Sequence, residues 1–417
     1  MIPRQNAKLF RIGTFAVAAS RAGRFDRGPI DRMTRVYLDH NATAPLRPEA
    51  REAVLAAMAL AGNASAVHGE GRAARRMVEA AREAVARLTG AEAKLVTFTS
   101  GGSEAAATVL APGFRGRQAG PARSLIVSAV EHSCVLAGGR FAPADVHVCP
   151  VDDLGRIDLG ALETLLGRVP GPALVAVMFA NNETGVLQPL ADVRRLVEAH
   201  GASLVVDAVQ ALGKLPVDVA ALGADALFVS GHKIGAPQGV GAIVRAAEAV
   251  GFDRLVTGGG QEMRWRAGTE NLTGIAGFGA AAGVVLDKMG QEIAAIAGLR
   301  DWMEAEIATI CRASEVIGLQ ADRLANTSLT VHPGLDGETT MIALDLAGIA
   351  VSTGSACTSG KVAPSHVLAA MGLAADKAKS AIRVSLGWST TRADVERFTA
   401  ALAAHVRKVS ARGSRAA

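Results

Sequence analysis

Cysteine is scarce in this chain of 417 residues, which has four, and no two of them show C-x-x-C spacing. So few cysteines exclude a disulfide-stapled scaffold, and the missing spacing argues against a zinc site or thioredoxin-type chemistry. Aromatic residues make up only 4% and include one tyrosine, so the chain lacks the aromatics that bind single-stranded nucleic acid. No apolar run approaches the roughly 20 residues that a membrane-spanning helix needs. We therefore expect no metal, no nucleic acid and no membrane among its ligands.

The overall composition indicates a folded protein. Half of the residues are hydrophobic, 20% are charged and the mean hydropathy is +0.26, which is the opposite of the balance found in disordered chains. A length of 417 residues exceeds that of one ordinary domain, so we expect two.

The formal net charge of +5 belongs to the two ends of the chain. Seven basic and two acidic residues lie in 1–32, and four basic residues without an acid lie in 401–417, so residues 33–400 carry −4. Arg11 interrupts the only apolar stretch of the leader, which argues against a secretory signal. An organelle transit peptide is an alternative, but we favour a basic leader over 1–33 that is disordered or not native, because Met33 precedes the first strand-like run. A chain that starts at Met33 should then fold and keep its activity, and we expect a cytoplasmic protein.

Short apolar runs alternate with longer Ala-rich helical patterns. The runs predict strands at Leu95–Thr99, Ser124–Ser128, Leu174–Ala180, Ser203–Asp207, Ala226–Ser230 and Gly241–Arg245. Helix-period segments lie at Glu70–Leu88, Gly160–Leu166 and Leu190–His200, and a long helix over 284–311 leads to further strands at Ser328–His332 and Ile382–Leu386. Strands that are apolar on both faces and alternate with helices predict an α/β fold, with a mainly parallel sheet covered by helices and a smaller α+β domain.

Polar residues follow several of these strands, at the edge where open α/β sheets bind ligands. One strand end carries the small-residue turn 100–103 before an Ala-rich helix, where backbone N–H groups can face an anion. The other ends carry His132, Asp207, and the neighbours His232 and Lys233. Each has an ordinary structural explanation, such as a connecting turn, a packed histidine, a helix-capping Asp or a solvated Lys. Four such ends in one chain nevertheless indicate a binding site.

The chemistry of these strand ends matches pyridoxal 5'-phosphate. The turn 100–103 would cradle the phosphate, and Asp207 would pair with the ring nitrogen. A lysine with a depressed pKa, here Lys233, can bind the cofactor's carbonyl covalently. His132 could stack on the flat ring.

Five motifs follow in order along the chain. They are YLDHNAT at 37–43, NNETG at 181–185, SGHK at 230–233, RAGTEN at 266–271 and GSACTSG at 354–360. Together they resemble the cysteine desulfurases of the NifS/IscS type, within the class V aminotransferase family of pyridoxal-phosphate enzymes. The resemblance covers roughly residues 36–392 and implies the fold of type I pyridoxal-phosphate enzymes. It implies a large cofactor-binding domain over 45–288, a small domain over 36–44 and 289–405 that carries the cysteine motif, and a basic tail over 406–417.

The resemblance implies a role for each residue around the cofactor ring. Lys233 would carry the covalent link and move the substrate's protons. Asp207 would pair with the ring nitrogen, and His132 would stack on the ring and exchange protons. Asn182 and Gln210 would donate hydrogen bonds to the phenolic oxygen.

The resemblance also implies how the phosphate is held. The residues concerned in this chain would be Gly102, Ser103, Ser230 and His232. In the family a threonine from a second subunit completes the phosphate site, and Thr269 matches it. We therefore expect a homodimer with shared active sites.

Three further residues would act on the substrate. Arg383 matches the clamp for the substrate carboxylate, since a guanidinium pairs with a carboxylate through two hydrogen bonds; an arginine at a strand edge is the plainer explanation. Asn63 resembles another substrate-side residue. Cys357, among small residues, would attack the sulfur of L-cysteine as a thiolate and hold it as a persulfide. The remaining cysteines are expected to pack, although Cys134 lies near His132.

The resemblance thus implies an enzyme that converts L-cysteine to L-alanine and passes sulfur from Cys357 to an acceptor protein for iron–sulfur cluster or thio-cofactor assembly. The nearest alternative is a selenocysteine lyase, or another class V enzyme without sulfur transfer. A non-catalytic scaffold would be expected to lack Lys233 or Cys357, and both are present.

Overall fold

The computed structural model describes residues 35–117, 119–353, 357–358, 361–362 and 365–416. The predicted leader over 1–33 lies outside these residues. The strands are β1 Val36–Tyr37, β2 Val96–Thr99, β3 Ser124–Ser128, β4 Val146–Cys149, β5 Ala173–Met178, β6 Ser203–Asp207, β7 Ala226–Ser230, β8 Gly241–Arg245, β9 Glu315–Val316, β10 Thr327–Val331, β11 Ile349–Ala350, β12 Cys357–Thr358, β13 Lys361–Val362 and β14 Ala381–Ser385.

Helices connect most of these strands. They are α1 Pro48–Met58, α2 Gly69–Leu88, α3 Gly102–Val109, α4 Ser133–Leu136, α5 Leu159–Leu166, α6 Leu190–Ala199, α7 Leu272–Ile310, α8 Gly337–Leu346, α9 His366–Ala370, α10 Ala375–Lys379 and α11 Arg392–Ala416. Short 3₁₀ helices lie at Ala93–Leu95, Pro143–Asp145, Gly231–Ile234 and Glu262–Arg264.

Seven strands form the central sheet, in the spatial order β2-β8-β7-β6-β5-β3-β4. β7, β6, β5, β3 and β4 are parallel, and β8 is antiparallel to both of its neighbours. Every residue of β3, β5, β6 and β7 is buried, because helices pack on both faces of the sheet. The predicted α/β architecture is confirmed, and β3, β6, β7 and β8 match their predicted bounds to the residue.

Smaller sheets complete the compact unit that spans Val36–Ala417. β10 pairs antiparallel with β14 and β9, β1 pairs parallel with β11, and β12 pairs antiparallel with β13. β10 and β14 each begin one residue earlier than predicted. Two hydrophobic clusters surround these small sheets, separate from the two on the faces of the central sheet. The domain bounds over 36–44, 45–288, 289–405 and 406–417 stay predictions.

Helix α7 has 39 residues and begins twelve residues before the predicted start at 284. The early part is rich in glycine, which favours helix weakly, yet close packing needs those glycines. A Cβ added at Gly279 would lie 2.5 Å from Ala81 of α2, and one at Gly277 would lie 2.6 Å from Pro237. By length and composition α7 could cross a membrane, although half of its most apolar window is buried inside the protein.

The segment that leads to Thr269 contains three consecutive non-glycine residues in the left-handed region, Glu262–Arg264, with φ of 49°, 52° and 71°. Such backbone is disfavoured for L-residues, so other contacts must hold it. Arg82 of α2 pairs with the Glu262 carboxylate through Nη1–Oε2 and Nη2–Oε1 distances of 2.7 and 2.9 Å, and both side chains are buried. The backbone N–H of Phe98 donates to the same carboxylate at 2.8 Å. This ion pair anchors the segment to the central sheet.

Candidate active site

A cavity of about 500 Å³ opens at the carboxyl ends of the parallel strands, which is an ordinary volume for a small-molecule site. Because neighbouring parallel strands end at the same edge, residues far apart in sequence meet there. Ten of the predicted site residues line this cavity: Gly102, Ser103, His132, Asn182, Asp207, Gln210, Ser230, His232, Lys233 and Arg383.

One end of the site is suited to an anion. Helix α3 begins there after Gly101, and no side chain caps its first N–H groups. Tight packing favours glycine at 102, since a Cβ added to it would lie 3.2 Å from Val209. Burial, helped by the nearby Lys233, lowers the pKa of His232 to about 4, so this histidine is neutral at pH 7. Free N–H groups at a helix N-terminus are the donors that a phosphate accepts.

Asp207 lies at the end of β6 with 7% of its surface exposed. Its Oδ1 accepts a hydrogen bond from the backbone N–H of Val209 at 2.9 Å. Burial raises the pKa of Asp207 to about 6, despite that hydrogen bond and the nearby Lys233. A buried carboxylate of this kind is stabilised by a cationic ligand nitrogen.

The carboxyl group of Glu131, next to Asp207, is fully buried. The backbone N–H of Met178 donates to its Oε1 at 2.7 Å, while Oε2 has no partner among the described residues. Burial, and next the Asp207 charge, raises the pKa of Glu131 well above its usual value. Burial thus favours the protonated form of Glu131 beneath the site.

Lys233 extends from the 3₁₀ turn after β7. Its Nζ donates to the backbone carbonyl oxygens of Asn41 at 2.5 Å and Ala42 at 3.0 Å. Burial, and then the Arg383 charge, lowers the pKa of Lys233 to about 8. A fraction of the amine is therefore unprotonated near neutral pH, as a nucleophilic lysine requires.

His132 caps helix α4 as well as lining the cavity. Its Nδ1 accepts a hydrogen bond from the backbone N–H of Cys134 at 3.2 Å and lies 3.1 Å from the Cys134 Sγ. Since a backbone N–H can only donate, the ring proton belongs on Nε2. Burial lowers the pKa of His132, which keeps the ring neutral. His132 can therefore cap helix α4 and take part in the site at the same time.

Arg383 approaches the cavity from β14 and is 6% exposed. Its Nη2 donates to Asp39 Oδ1 at 2.7 Å and its Nη1 to the carbonyl oxygen of Asn182 at 3.1 Å. Its buried Nε has no partner among the described residues. The guanidinium is thus fixed by two contacts and keeps N–H groups for a ligand.

Two predicted residues lie elsewhere, and the side chain of a third is not described. Thr269 lines a separate cavity of about 150 Å³ beside Arg266, whose Nε lies 3.0 Å from Glu104 Oε1 of α3. Asn63 is exposed in the loop between α1 and α2, and its Oδ1 accepts from the Ser65 N–H at 2.8 Å. The backbone of Cys357 lies in β12, but its side chain is outside the described part of the chain. The roles assigned to these residues stay predictions.

Asn41 was overlooked as a site residue, although it belongs to the motif at 37–43. Its backbone carbonyl accepts from Lys233, and from Gln210 Nε2 at 2.9 Å. Its Nδ2 donates to the Asn182 carbonyl at 3.1 Å, and its backbone N–H donates to Ser385 of β14 at 2.9 Å. Asn41 therefore ties three cavity residues to the small sheet.

His366 is a second residue that the sequence patterns did not single out. It lines the cavity, and its Nε2 donates to the Glu131 carbonyl at 2.9 Å. The preceding Ser365 donates to Glu183 Oε2 at 2.5 Å. These bonds fix Ser365 and His366, which lie a few residues after the cysteine motif at 354–360.

Comparison with known proteins places this architecture in a family. Residues 36–398 match the family described as Aminotransferase class-V. The chain is 43% identical to the cysteine desulfurase of Cereibacter sphaeroides, over 88% of this chain and 94% of that protein. It is 39% identical to the IscS-like cysteine desulfurase of Mycobacterium tuberculosis, over 86% of this chain and 93% of that protein.

Solved structures agree. The NifS-like protein of Rickettsia africae superposes with a TM-score of 0.80 at 32% identity, covering 90% of this chain and 99% of that one. A structure of SspA in complex with cysteine superposes with a TM-score of 0.70 at 28% identity, covering 86% and 100%.

The residues present fit pyridoxal phosphate, the cofactor of this family. The uncapped start of α3 matches its phosphate, the buried Asp207 matches its ring nitrogen, and the depressed pKa of Lys233 matches its aldehyde. When bound, the cofactor supplies an electron sink that weakens bonds at the substrate carbon. The chain therefore belongs to the cysteine desulfurases of the class V aminotransferase family, which are pyridoxal-phosphate enzymes with the type I fold.

Proposed function

We propose that this protein converts L-cysteine to L-alanine and holds the released sulfur as a persulfide on Cys357. The observation that carries the proposal is the meeting of Lys233, Asp207 and Arg383 in one cavity of a chain related to cysteine desulfurases. The relative solved in complex with cysteine supports the same substrate.

The chain's own residues divide the work. Arg383 binds the substrate carboxylate through the N–H groups that Asp39 and Asn182 leave free. Lys233, with a pKa of about 8, takes and returns protons at Nζ near neutral pH. His132 carries its proton on Nε2, where it can donate a hydrogen bond to a bound ligand.

Sulfur transfer requires Cys357 as a thiolate. Its sulfur attacks the sulfur of the bound cysteine, so an S–S bond forms and the substrate's C–S bond breaks. The electron pair of that bond stays with the carbon, which takes up a proton and becomes the methyl group of alanine. No outside oxidant is needed, because the substrate carbon accepts the two electrons that the sulfur atoms lose when the S–S bond forms.

The test compares Cys357→Ala with wild type on L-cysteine, using Cys311→Ala at the end of α7 as a matched control. We expect sulfide and alanine release near zero in Cys357→Ala, with an unchanged absorption band of the bound cofactor. Cys311→Ala should behave like wild type, since it lies in a different part of the fold. Sulfide release by Cys357→Ala at the wild-type rate would show that the persulfide mechanism is wrong.

We further propose that the protein is a cytoplasmic homodimer that delivers its sulfur to an acceptor protein for iron–sulfur cluster or thio-cofactor assembly. The dimer is supported by Thr269, which faces its own cavity rather than that of Lys233 in the same chain. In the family, a threonine at this position completes the phosphate site of the second subunit. Pull-down of persulfidated protein with candidate acceptors, followed by transfer of labelled sulfur, tests the delivery.

A further inference from the structure

Lys214 is an amine beside the active site to which the mechanism gives no task. It lies four residues after Gln210, in the turns that follow β6. Its Nζ donates to Gln210 Oε1 at 2.6 Å and to Asn41 Oδ1 at 3.0 Å. Among the described residues no Asp or Glu forms an ion pair with it.

Placing an amine here is unfavourable, because a partly buried ammonium without a carboxylate loses hydration and gains no opposite charge. Burial lowers the pKa of Lys214 well below its usual value, and the charges of Lys233 and Arg383 lower it further. The turn that directs Lys214 inward also needs glycine at 213, where φ is +74° and a Cβ would lie 2.8 Å from Ile234.

The contacts of Lys214 fix the orientation of the Gln210 amide. An amine nitrogen that donates must face an oxygen, so Oε1 points to Lys214. The nitrogen side of the amide indicates the same orientation, because Gln210 Nε2 donates one hydrogen to the Asn41 carbonyl, which can only accept. The second N–H of Nε2 has no acceptor among the described residues, and Gln210 lines the cavity.

We propose that Lys214 is a positioning residue: it holds the Gln210 amide so that its free N–H faces the phenolic oxygen of the bound cofactor. The inference rests on the pyridoxal-phosphate part of the proposed function. A donated N–H stabilises the ionised oxygen. Lys214 therefore lowers the pH at which the enzyme-bound cofactor loses its proton.

Other charges surround the same amine and must be separated from its effect. The titratable and charged groups that face it or line the adjoining small cavity are Lys233, His232, His40, Arg47, Glu292 and Arg383. Removing Lys214 could raise the cofactor's pKa simply by removing one more positive charge from this group. A double-mutant cycle with Gln210 distinguishes the two effects.

The experiment titrates the absorption band of the cofactor-loaded enzyme with pH, without substrate. For Lys214→Met we expect the midpoint to rise by about one in pH, the equivalent of one lost charge-assisted hydrogen bond. Lys214→Arg, which keeps the donors, should restore the wild-type midpoint. Lys288→Met, at an exposed lysine of α7, is the control and should leave the midpoint unchanged.

The decisive comparison places Lys214→Met in a Gln210→Ala background. If Lys214 acts through Gln210, it adds no further change there. An equal rise of the midpoint in the wild-type and Gln210→Ala backgrounds would mean that Lys214 acts on the cofactor directly. An unchanged midpoint in Lys214→Met alone would mean that Lys214 does not affect the cofactor. Either result overturns the proposal. If Lys214→Met does not fold, Lys214→Leu, which also lacks donors, serves in its place. Desulfurase activity on cysteine is measured separately, so either failure leaves the proposed reaction standing.

Discussion

Replacing Arg383 by lysine gives the sharpest test of how this site selects its substrate. The guanidinium spends one N–H on Asp39 and one on the Asn182 carbonyl, and three remain, including the buried Nε. A lysine ammonium has three donors, so after bonding Asp39 and Asn182 it keeps one. The substrate carboxylate then loses at least one of its two charge-assisted hydrogen bonds.

Such a bond contributes about 1.5–3 kcal/mol, so kcat/KM should fall about 10- to 150-fold in Arg383→Lys. The loss should fall mainly on KM, because the carboxylate contact is the same in the ground state and the transition state. The assay is alanine formation over a range of cysteine concentrations, with Arg392→Lys as a control. Arg392 is exposed and pairs with Glu396 in α11, so its replacement should change neither constant.

A substrate without a carboxylate tests whether Arg383 acts by binding that group. Cysteamine lacks the group that Arg383 binds, so wild type and Arg383→Lys should process it at similar, low efficiency. If Arg383→Lys were as impaired on cysteamine as on cysteine, or if its KM for cysteine were unchanged, Arg383 would not be the carboxylate clamp.

Three further predictions concern charge and assembly. In the cofactor-free protein the pKa of Asp207 lies at about 6, above the ordinary 3.8, so the folded state favours the protonated form. This penalty is absent below pH 4 and complete above pH 6, where it amounts to about 3 kcal/mol. Asp207→Asn should therefore raise the thermal midpoint of the cofactor-free protein at pH 8 and lose this advantage at pH 4; a lower midpoint at pH 8 would contradict the burial argument. Glu262→Gln leaves its buried partner Arg82 with only the more exposed Glu79 as a counter-charge, so urea unfolding should show a loss of about 3 kcal/mol, whereas Glu79→Gln should cost about 1 kcal/mol or less. Equal losses would mean that burial does not govern this network. Finally, Thr269→Val and Lys233→Ala should each be inactive alone, while co-expression should restore activity through mixed dimers with one intact site; no recovery in purified mixed dimers would argue against shared sites.

The strands at the middle of the sheet could be predicted from sequence because their environment is uniform. β3, β6 and β7 are buried at every residue, so each reads as an unbroken apolar run with a polar residue at its end. The edge strand β4 was not predicted, since it is only partly buried and carries His147 in its middle. The start of α7 was not predicted, because glycine disfavours helix. At 277 and 279 only glycine leaves space for Pro237 and Ala81, and local helix propensity does not reveal such tertiary contacts.

Some residues of the candidate site could likewise be predicted from the sequence, and others could not. Residues at strand ends, such as Asp207 and Lys233, could be located because strand topology alone carries them to one edge. Asn41 and Lys214 could not, since their contact joins positions 173 residues apart and depends on how the first strand returns to the sheet. A histidine such as His366 carries no local pattern that separates a cavity residue from a surface one.

Helix α7 also bears on how the protein opens in solution. Its first turns, with Ile275, Phe278 and Val285, are buried in the core of the large sheet, and Met303 and Ile307 are buried in the core around the small sheets. No residue from 286 to 302 is buried. An isolated helix frays from its ends, but this one is held in a core at both ends and is at most partly buried between them. Its amide hydrogens should therefore exchange fastest near the middle, and the unfolding of either core leaves a helix still anchored in the other.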